Sequence, residues 1–307
     1  MSSQCALRRF GFRGVAVTIR IVSFTGSNRT PPRNYPPVVI ASKVIQEARR
    51  DWWFWTYAGG FALLAAAITV TATQHRTLTS SGGFGRALAS LIALVQLVIT
   101  LMSLTLGARQ LSSERESKTL VFLLTHPVSR TQVLLGTFAG HVAAMSASVL
   151  LGFGVAGVFS ALRGNPIDPG LLLRLTALSC LLVAATVAIG VLVSTLVQRG
   201  SAALGVAISV WFCMVFLGDL GLMGATVATQ LPTETLFAAA LLNPVEAFRL
   251  ATVISLEGSL DALGPAGTYA VDTFGRGVAA LAILVLGLWT AVPLALSVQV
   301  FQRRDQA

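Results

Sequence analysis

Charged side chains are scarce in this sequence: Asp, Glu, Lys and Arg make up 11% of its 307 residues, against about 25% in a soluble domain. So few charges cannot cover the surface of a water-soluble body of this size. With the AVILMFWYC residues at 54%, a soluble enzyme or a nucleic-acid-binding domain is excluded. Cysteine is nearly absent. Cys5, Cys180 and Cys213 make no disulfide framework, and the last two sit in apolar runs, where they read as small buried hydrophobes. Catalytic motifs are missing as well. The chain has no Gly-x-Ser-x-Gly and no His-Glu-x2-His, which argues against an intramembrane hydrolase. Nor does it have a Gly-x4-Gly-Lys-Ser/Thr phosphate loop, so it does not hydrolyse ATP in the usual way.

What the chain does have is length in its apolar runs. A membrane crossing needs about 20 mostly apolar residues, because the hydrocarbon core is about 30 Å thick. Six stretches qualify: 53–73, 87–108, 131–160, 171–198, 201–228 and 278–301. The expected fold is an all-α integral membrane protein with six transmembrane helices. Its net charge of +10 then becomes a record of topology. With the N-terminus cytoplasmic, the inner side holds 16 basic residues: nine before the first span, then Arg109, Arg115, Lys118, Arg130, Arg199, Arg303 and Arg304. The outer side holds six: Arg76, Arg86, Arg163, Arg174, Arg249 and Arg276. Both termini are therefore expected in the cytoplasm, in the multi-pass manner of a bacterial or archaeal inner-membrane protein.

Residues 1–37 contain Pro31, Pro32, Pro36 and Pro37 and no acid. They read as a basic, disordered tail or as the product of a mis-assigned start, outside the membrane domain of residues 53–305. From Val38 the pattern becomes an amphipathic helix, 38–52, which runs into Trp52, Trp53, Trp55 and Tyr57. Such rings are stable at headgroup level, so this helix is expected on the inner leaflet.

The segment between the second and third spans is the most informative. Ser113 with Glu116 makes a capping-box signature, which predicts a short helix starting there. Leu120 to Leu124 make that helix apolar, and Pro127 ends it. Ser129 with Gln132 is a second capping box, opening the third span. The charged-then-apolar helix reads either as a seal on the bundle or as a docking element for a cytoplasmic partner.

This layout resembles the permease subunits of ABC-2-type ABC transporters. In that family the segment commonly runs Glu-x-Glu-x-Gly-Thr, then leucines, then Pro-x-Ser-Arg, then a Gly-Lys pair. The chain supplies Glu114, Glu116, Thr119, Leu123, Leu124, Pro127, Ser129, Arg130 and Gly136, and departs at Lys118 and Thr137. The run Val133 to His141, the segment Asn243-Pro244-x-Glu246-Ala247-Phe248-Arg249 and the ending Gly287-Leu288-Trp289…Pro293 are similar to permeases of the copper-site maturation transporter of nitrous-oxide reductase. The resemblance covers residues 38–305. It implies a separate ATPase subunit, carrying ATP and Mg, that docks on residues 112–128. Ser113, Glu114, Arg115, Glu116, Lys118, Thr119, Pro127 and Arg130 would form that coupling loop, and Arg199 a second, smaller contact. It further implies export, no cofactor in this chain, and a second permease, identical or paralogous.

His141 lies about 16 Å into the third span by helix rise, near mid-bilayer. There it is either a neutral imidazole bonded between helices or a group on the translocation path. Gly136 and Gly140 beside it make a Gly-x3-Gly face suited to close helix approach. Asp219 falls at the outer interface. Asn243, Pro244 and Glu246 read as N-cap, N1 and N3 of an outer helix that also carries Arg249. The resemblance makes it an outer gate. Among the rivals, copper conduction is disfavoured because His141 with Met145, and Cys213 with Met214, are ordinary core spacings. His75 and His126 fall in an outer and an inner loop, apart from His141, so no catalytic or metal site is expected. An ATP-independent secondary transporter would show inverted repeats and midplane charges, and a membrane scaffold remains the other alternative.

Overall fold

The computed structural model describes residues 41–42, 44–46, 50, 52–74, 89–116, 129–163, 167–218, 233–255 and 277–304, and among them there is no strand. The helices are α1 (Trp52–Gln74), α2 (89–116), α3 (Arg130–Leu162), α4 (Pro169–Leu196), α5 (Gly200–Leu217), α6 (Thr233–Leu241), α7 (Pro244–Ser255) and α8 (Gly277–Arg304). Helices are the form that satisfies every backbone N–H and C=O without water, which a lipid-embedded chain requires. Five described segments are long and apolar enough to cross a bilayer: Ala89–Ser112, Thr131–Leu162, Pro169–Leu196, Gly200–Leu217 and Gly277–Arg303. In α1 the apolar part is Phe54–Val70, at the short end of the roughly 17–25 residues a crossing takes. The tail 1–37 and the last part of the expected fifth span, 219–228 with Asp219, lie outside the described residues.

Helix ends follow local chemistry. At the start of α3, the Gln132 N–H donates to Ser129 Oγ (3.3 Å) while the Ser129 N–H donates to Gln132 Oε1 (3.1 Å), completing the expected capping box. Asp168 caps α4 by accepting from the Gly170 N–H at 3.1 Å, with Pro169 at the first helical position. The end of α2 departs from expectation. The helix continues unbroken from Thr100 to Glu116, so Ser113 lies inside its last turns and starts no new helix. Nothing from Ala108 to Glu116 breaks a helix, so the Ser-x2-Glu spacing occurs within one.

Helix α4 forms the centre. From Leu182 to Thr195 nearly every residue is buried, and α2, α3, α7 and α8 pack around it. The outward faces of α5 and α8 are apolar, with Val206, Ile208 and Phe212 on one and Leu284, Leu288 and Val292 on the other exposed. Such faces suit lipid. Helices α2 and α4 run parallel and nearly touch: a Cβ on Gly107 would lie 2.7 Å from the Val187 carbonyl oxygen, and one on Gly190 2.5 Å from that of Leu104. One turn further, the Ser112 N–H donates to Ser194 Oγ at 3.0 Å. Without side chains at 107 and 190 the two backbones approach far closer than ordinary helices can.

Helices α1 and α3 also run side by side. Gly152 leaves room for the Phe61 ring, which meets Phe153 edge-on at 5.4 Å and 75°. Phe153→Ala should cost about 2 kcal/mol. That is below the roughly 3–5 kcal/mol of a water-soluble core, because lipid already solvates the separated helices and only packing is lost. The unfolding midpoint of the reconstituted protein in a denaturing-detergent titration measures it.

Candidate functional site

At the base of the bundle the end of α2 meets the start of α5. Arg199 has extended backbone (φ −103°, ψ 132°) and is the N-cap of α5, without a side-chain hydrogen bond of its own to the helix start. The missing acceptor comes from another helix: the Gly200 N–H donates to Glu116 Oε2 at 3.2 Å. A helix N-terminus carries partial positive charge and unpaired N–H groups, so a carboxylate there is well placed. The sequence singled out Glu116 and Arg199 separately, and the structure brings Glu116 to the backbone of the residue that follows Arg199. Ser113, Glu114 and Arg115 belong to the same final turns of α2, and Arg130 opens α3. Lys118, Thr119 and Pro127 lie outside the described residues.

His141 sits on α3, where its Nδ1 lies 2.8 Å from the Thr137 carbonyl oxygen. Phe61 and Phe153 are level, so stepping back nine residues on each helix, about 13 Å, sets Trp52 level with Ala144. Trp52 and Trp55 are strongly exposed. Residues 130–143 of α3 therefore extend about 20 Å beyond the level of Trp52, and His141 lies in that stretch. Gly140 is occupied accordingly. Its missing side chain admits Val44 of the segment preceding α1, to whose Cβ an added Cβ would be 2.6 Å. The small face on α3 thus receives the lead-in helix.

At the top, α7 lies almost wholly buried against α4 and α8. Its start has the expected form: the Val245 N–H donates to Asn243 Oδ1 at 3.0 Å, and Pro244 takes the first helical position. Glu246, 5% exposed, pairs with Arg249 at 3.8 Å. The far end of α7 is held by Arg174 of α4, whose Nη1 donates to the Ser255 carbonyl oxygen at 3.1 Å. An acid in the first turn and a cation at the last carbonyls both match the helix dipole.

Two π-turns face this start of α7, and neither was visible in the sequence. They are Val95–Ile99 in α2 and Cys213–Leu217 in α5. In the first, the Thr100 N–H reaches back to Val95, and the Gln96 carbonyl accepts from the Thr100 hydroxyl instead. Trp211 of α5 donates its indole N–H to Thr100 Oγ1 at 3.1 Å. Buried Gln96 donates through Nε2 to the Val245 carbonyl at 3.2 Å. In the second π-turn, the Gly218 N–H goes to Cys213 and Val215, and the Met214 carbonyl accepts from Asn243 Nδ2 at 2.5 Å. A glutamine amid apolar residues was the available hint. Among the described residues, no group of three His, Cys, Asp or Glu side chains is arranged to hold a metal.

Comparison with known proteins gives this arrangement a family. Residues 38–306 match the family model of the ABC-2 family transporter proteins. The chain is 32% identical over 274 residues to the "Probable ABC transporter permease protein NosY" of Stutzerimonas stutzeri, covering 86% of this chain and 97% of the relative. It is also 32% identical over 276 residues to the protein of the same description from Pseudomonas aeruginosa, covering 87% and 99%. The chain thus belongs to the ABC-2 transporter family, among the ABC transporter permeases.

Proposed function

We propose that this chain is the membrane-spanning subunit of an ABC exporter, with six spans, cytoplasmic termini and a separate ATPase docked at the base of the bundle, on residues 112–128. ATP and Mg belong to that partner, and the chain itself contributes no catalytic group. Two permeases, identical or paralogous, would complete the transporter in a bacterial or archaeal inner membrane. The observation that carries this reading is the hydrogen bond from Gly200 to Glu116. It ties the approach to the docking loop to the turn between α4 and α5, so a push on either reaches three helices. The top helix with Asn243, Pro244, Glu246 and Arg249 is then the outer gate. His141 of α3 is the residue assigned to the translocation path.

Affinity purification of the intact chain from its native host tests the assignment. Recovery of a stoichiometric ATPase with ATP-hydrolysing activity is expected. Reversing Glu114 and Glu116 together to lysine should lower that recovery by about tenfold, the scale of losing one charge-assisted contact. A wild-type chain that captures no ATPase, or a reversed one that captures it undiminished, would sink the docking claim.

A further inference from the structure

The contacts between α2, α5 and α7 form a closed circuit, and both π-turns belong to it. Each π-turn redirects one backbone N–H, that of Thr100 to Val95 and that of Gly218 to Cys213 and Val215. In each, the carbonyl an α-helix would have used, Gln96 or Met214, takes a side-chain donor: the Thr100 hydroxyl or the Asn243 amide. The Gln96 side chain reaches the Val245 carbonyl and the Asn243 oxygen holds the Val245 N–H. Trp211 closes the ring onto Thr100. Below it, the same two helices are tied again at Glu116 and Gly200. Helices α2 and α5 are therefore bonded to each other at two levels, about 24 Å apart along α2 from Thr100 to Glu116, and both grip one turn of α7. π-turns inside helices frequently mark functional positions; here the one in α5 frees the Met214 carbonyl for Asn243, while α2 holds α7 through the Gln96 side chain.

We infer that α2 and α5 act as one lever, and that Gln96, Trp211 and Asn243 are positioning residues fastening its upper end to the Asn243–Val245 turn, so that displacement at the Glu116 end moves α7. This rests on the proposed docking of an ATPase at the base and names the part that would carry its stroke to the gate. The arrangement makes the coupling separable from the folding of α7. Asn243→Asp keeps the oxygen that caps Val245, since Asp and Asn cap equally well, but has no N–H to give Met214. Gln96→Met keeps the length of the side chain and removes its donor.

The test uses the full permease–ATPase complex in lipid nanodiscs, with the native cysteines replaced by alanine and nitroxide pairs on exposed sites. One pair, Ser201→Cys with Gln302→Cys, reports the base. The other, Leu162→Cys with Leu242→Cys, reports the top. Pulsed electron–electron distances are compared between the nucleotide-free and ATP–vanadate-trapped states. In the parent protein both pairs are expected to shift on trapping. In Asn243→Asp and in Gln96→Met the base pair should still shift, the top-pair shift should fall to less than half, and ATP hydrolysis should stay within twofold. A top pair that shifts fully in both variants overturns the lever, as does a parent protein whose base moves while its top does not. A parent in which neither pair responds and no ATPase binds overturns the proposed function instead. Should one variant fail to assemble, the other, on a different helix, carries the test.

Discussion

Gly190→Leu is expected to remove nearly all recoverable folded protein. The Cβ alone would stand 2.5 Å from the Leu104 carbonyl oxygen and 3.0 Å from both the Ala108 nitrogen and the Gly107 Cα. These are backbone atoms within a helix, so no rotamer change relieves the overlap. Helix α2 must move away from α4, and α4 is the element around which the bundle packs. Separation also stretches the Ser112–Ser194 bond one turn further along. Overpacking a core commonly costs about 1–3 kcal/mol and sometimes more. Backbone overlap on the central helix belongs at the top of that range, a large share of the roughly 5–15 kcal/mol that holds a typical domain together. Size-exclusion chromatography of detergent extracts should show the monodisperse peak fall by roughly tenfold. Gly205→Ala and Gly287→Ala, where an added Cβ meets open space, should behave as the parent. A normal peak for Gly190→Leu would mean that α2 and α4 do not meet as described.

That contact shows where sequence reasoning reaches its limit. The α-helical, membrane-embedded character was legible because it depends on composition and on the length of apolar runs. Helix starts at Ser129, Asp168 and Asn243 are written in a few adjacent residues, and the cap at Asn243 was read correctly. Approach between helices is a property of pairs. Gly107 and Gly190 are far apart in sequence and neither neighbourhood names the other. Gly140 was recognised as a site of close approach, yet the partner is Val44 of the lead-in segment, which a small residue alone cannot specify. The Ser113–Glu116 spacing misled for the opposite reason: a capping motif has force only where the helix actually begins. The π-turns depend on one inserted residue per helix and leave no local signature beyond Gln96 in an apolar run.

Glu116→Ala is expected to have the second-largest effect, on function more than on folding. The variant leaves the buried Gly200 N–H at the start of α5 without its acceptor. A hydrogen bond to a charged group contributes about 1.5–3 kcal/mol, equivalent to roughly 10–150-fold in an equilibrium. Under the proposed function, that equilibrium is the one linking the docked ATPase to the α2–α5 pair, so permease-stimulated ATP hydrolysis should fall by at least about tenfold. Glu116→Gln keeps an acceptor oxygen and loses the charge that suits a helix N-terminus, and should fall in between. Gly200→Pro supplies the decisive partner variant. It deletes the donor while leaving a residue that the first position of a helix favours, so its loss should match that of Glu116→Ala. If the two groups act through each other, the double variant loses no more than either single one, the non-additivity expected of contacting residues. Additive losses would show that Glu116 acts on the ATPase directly and that the turn between α4 and α5 takes no part.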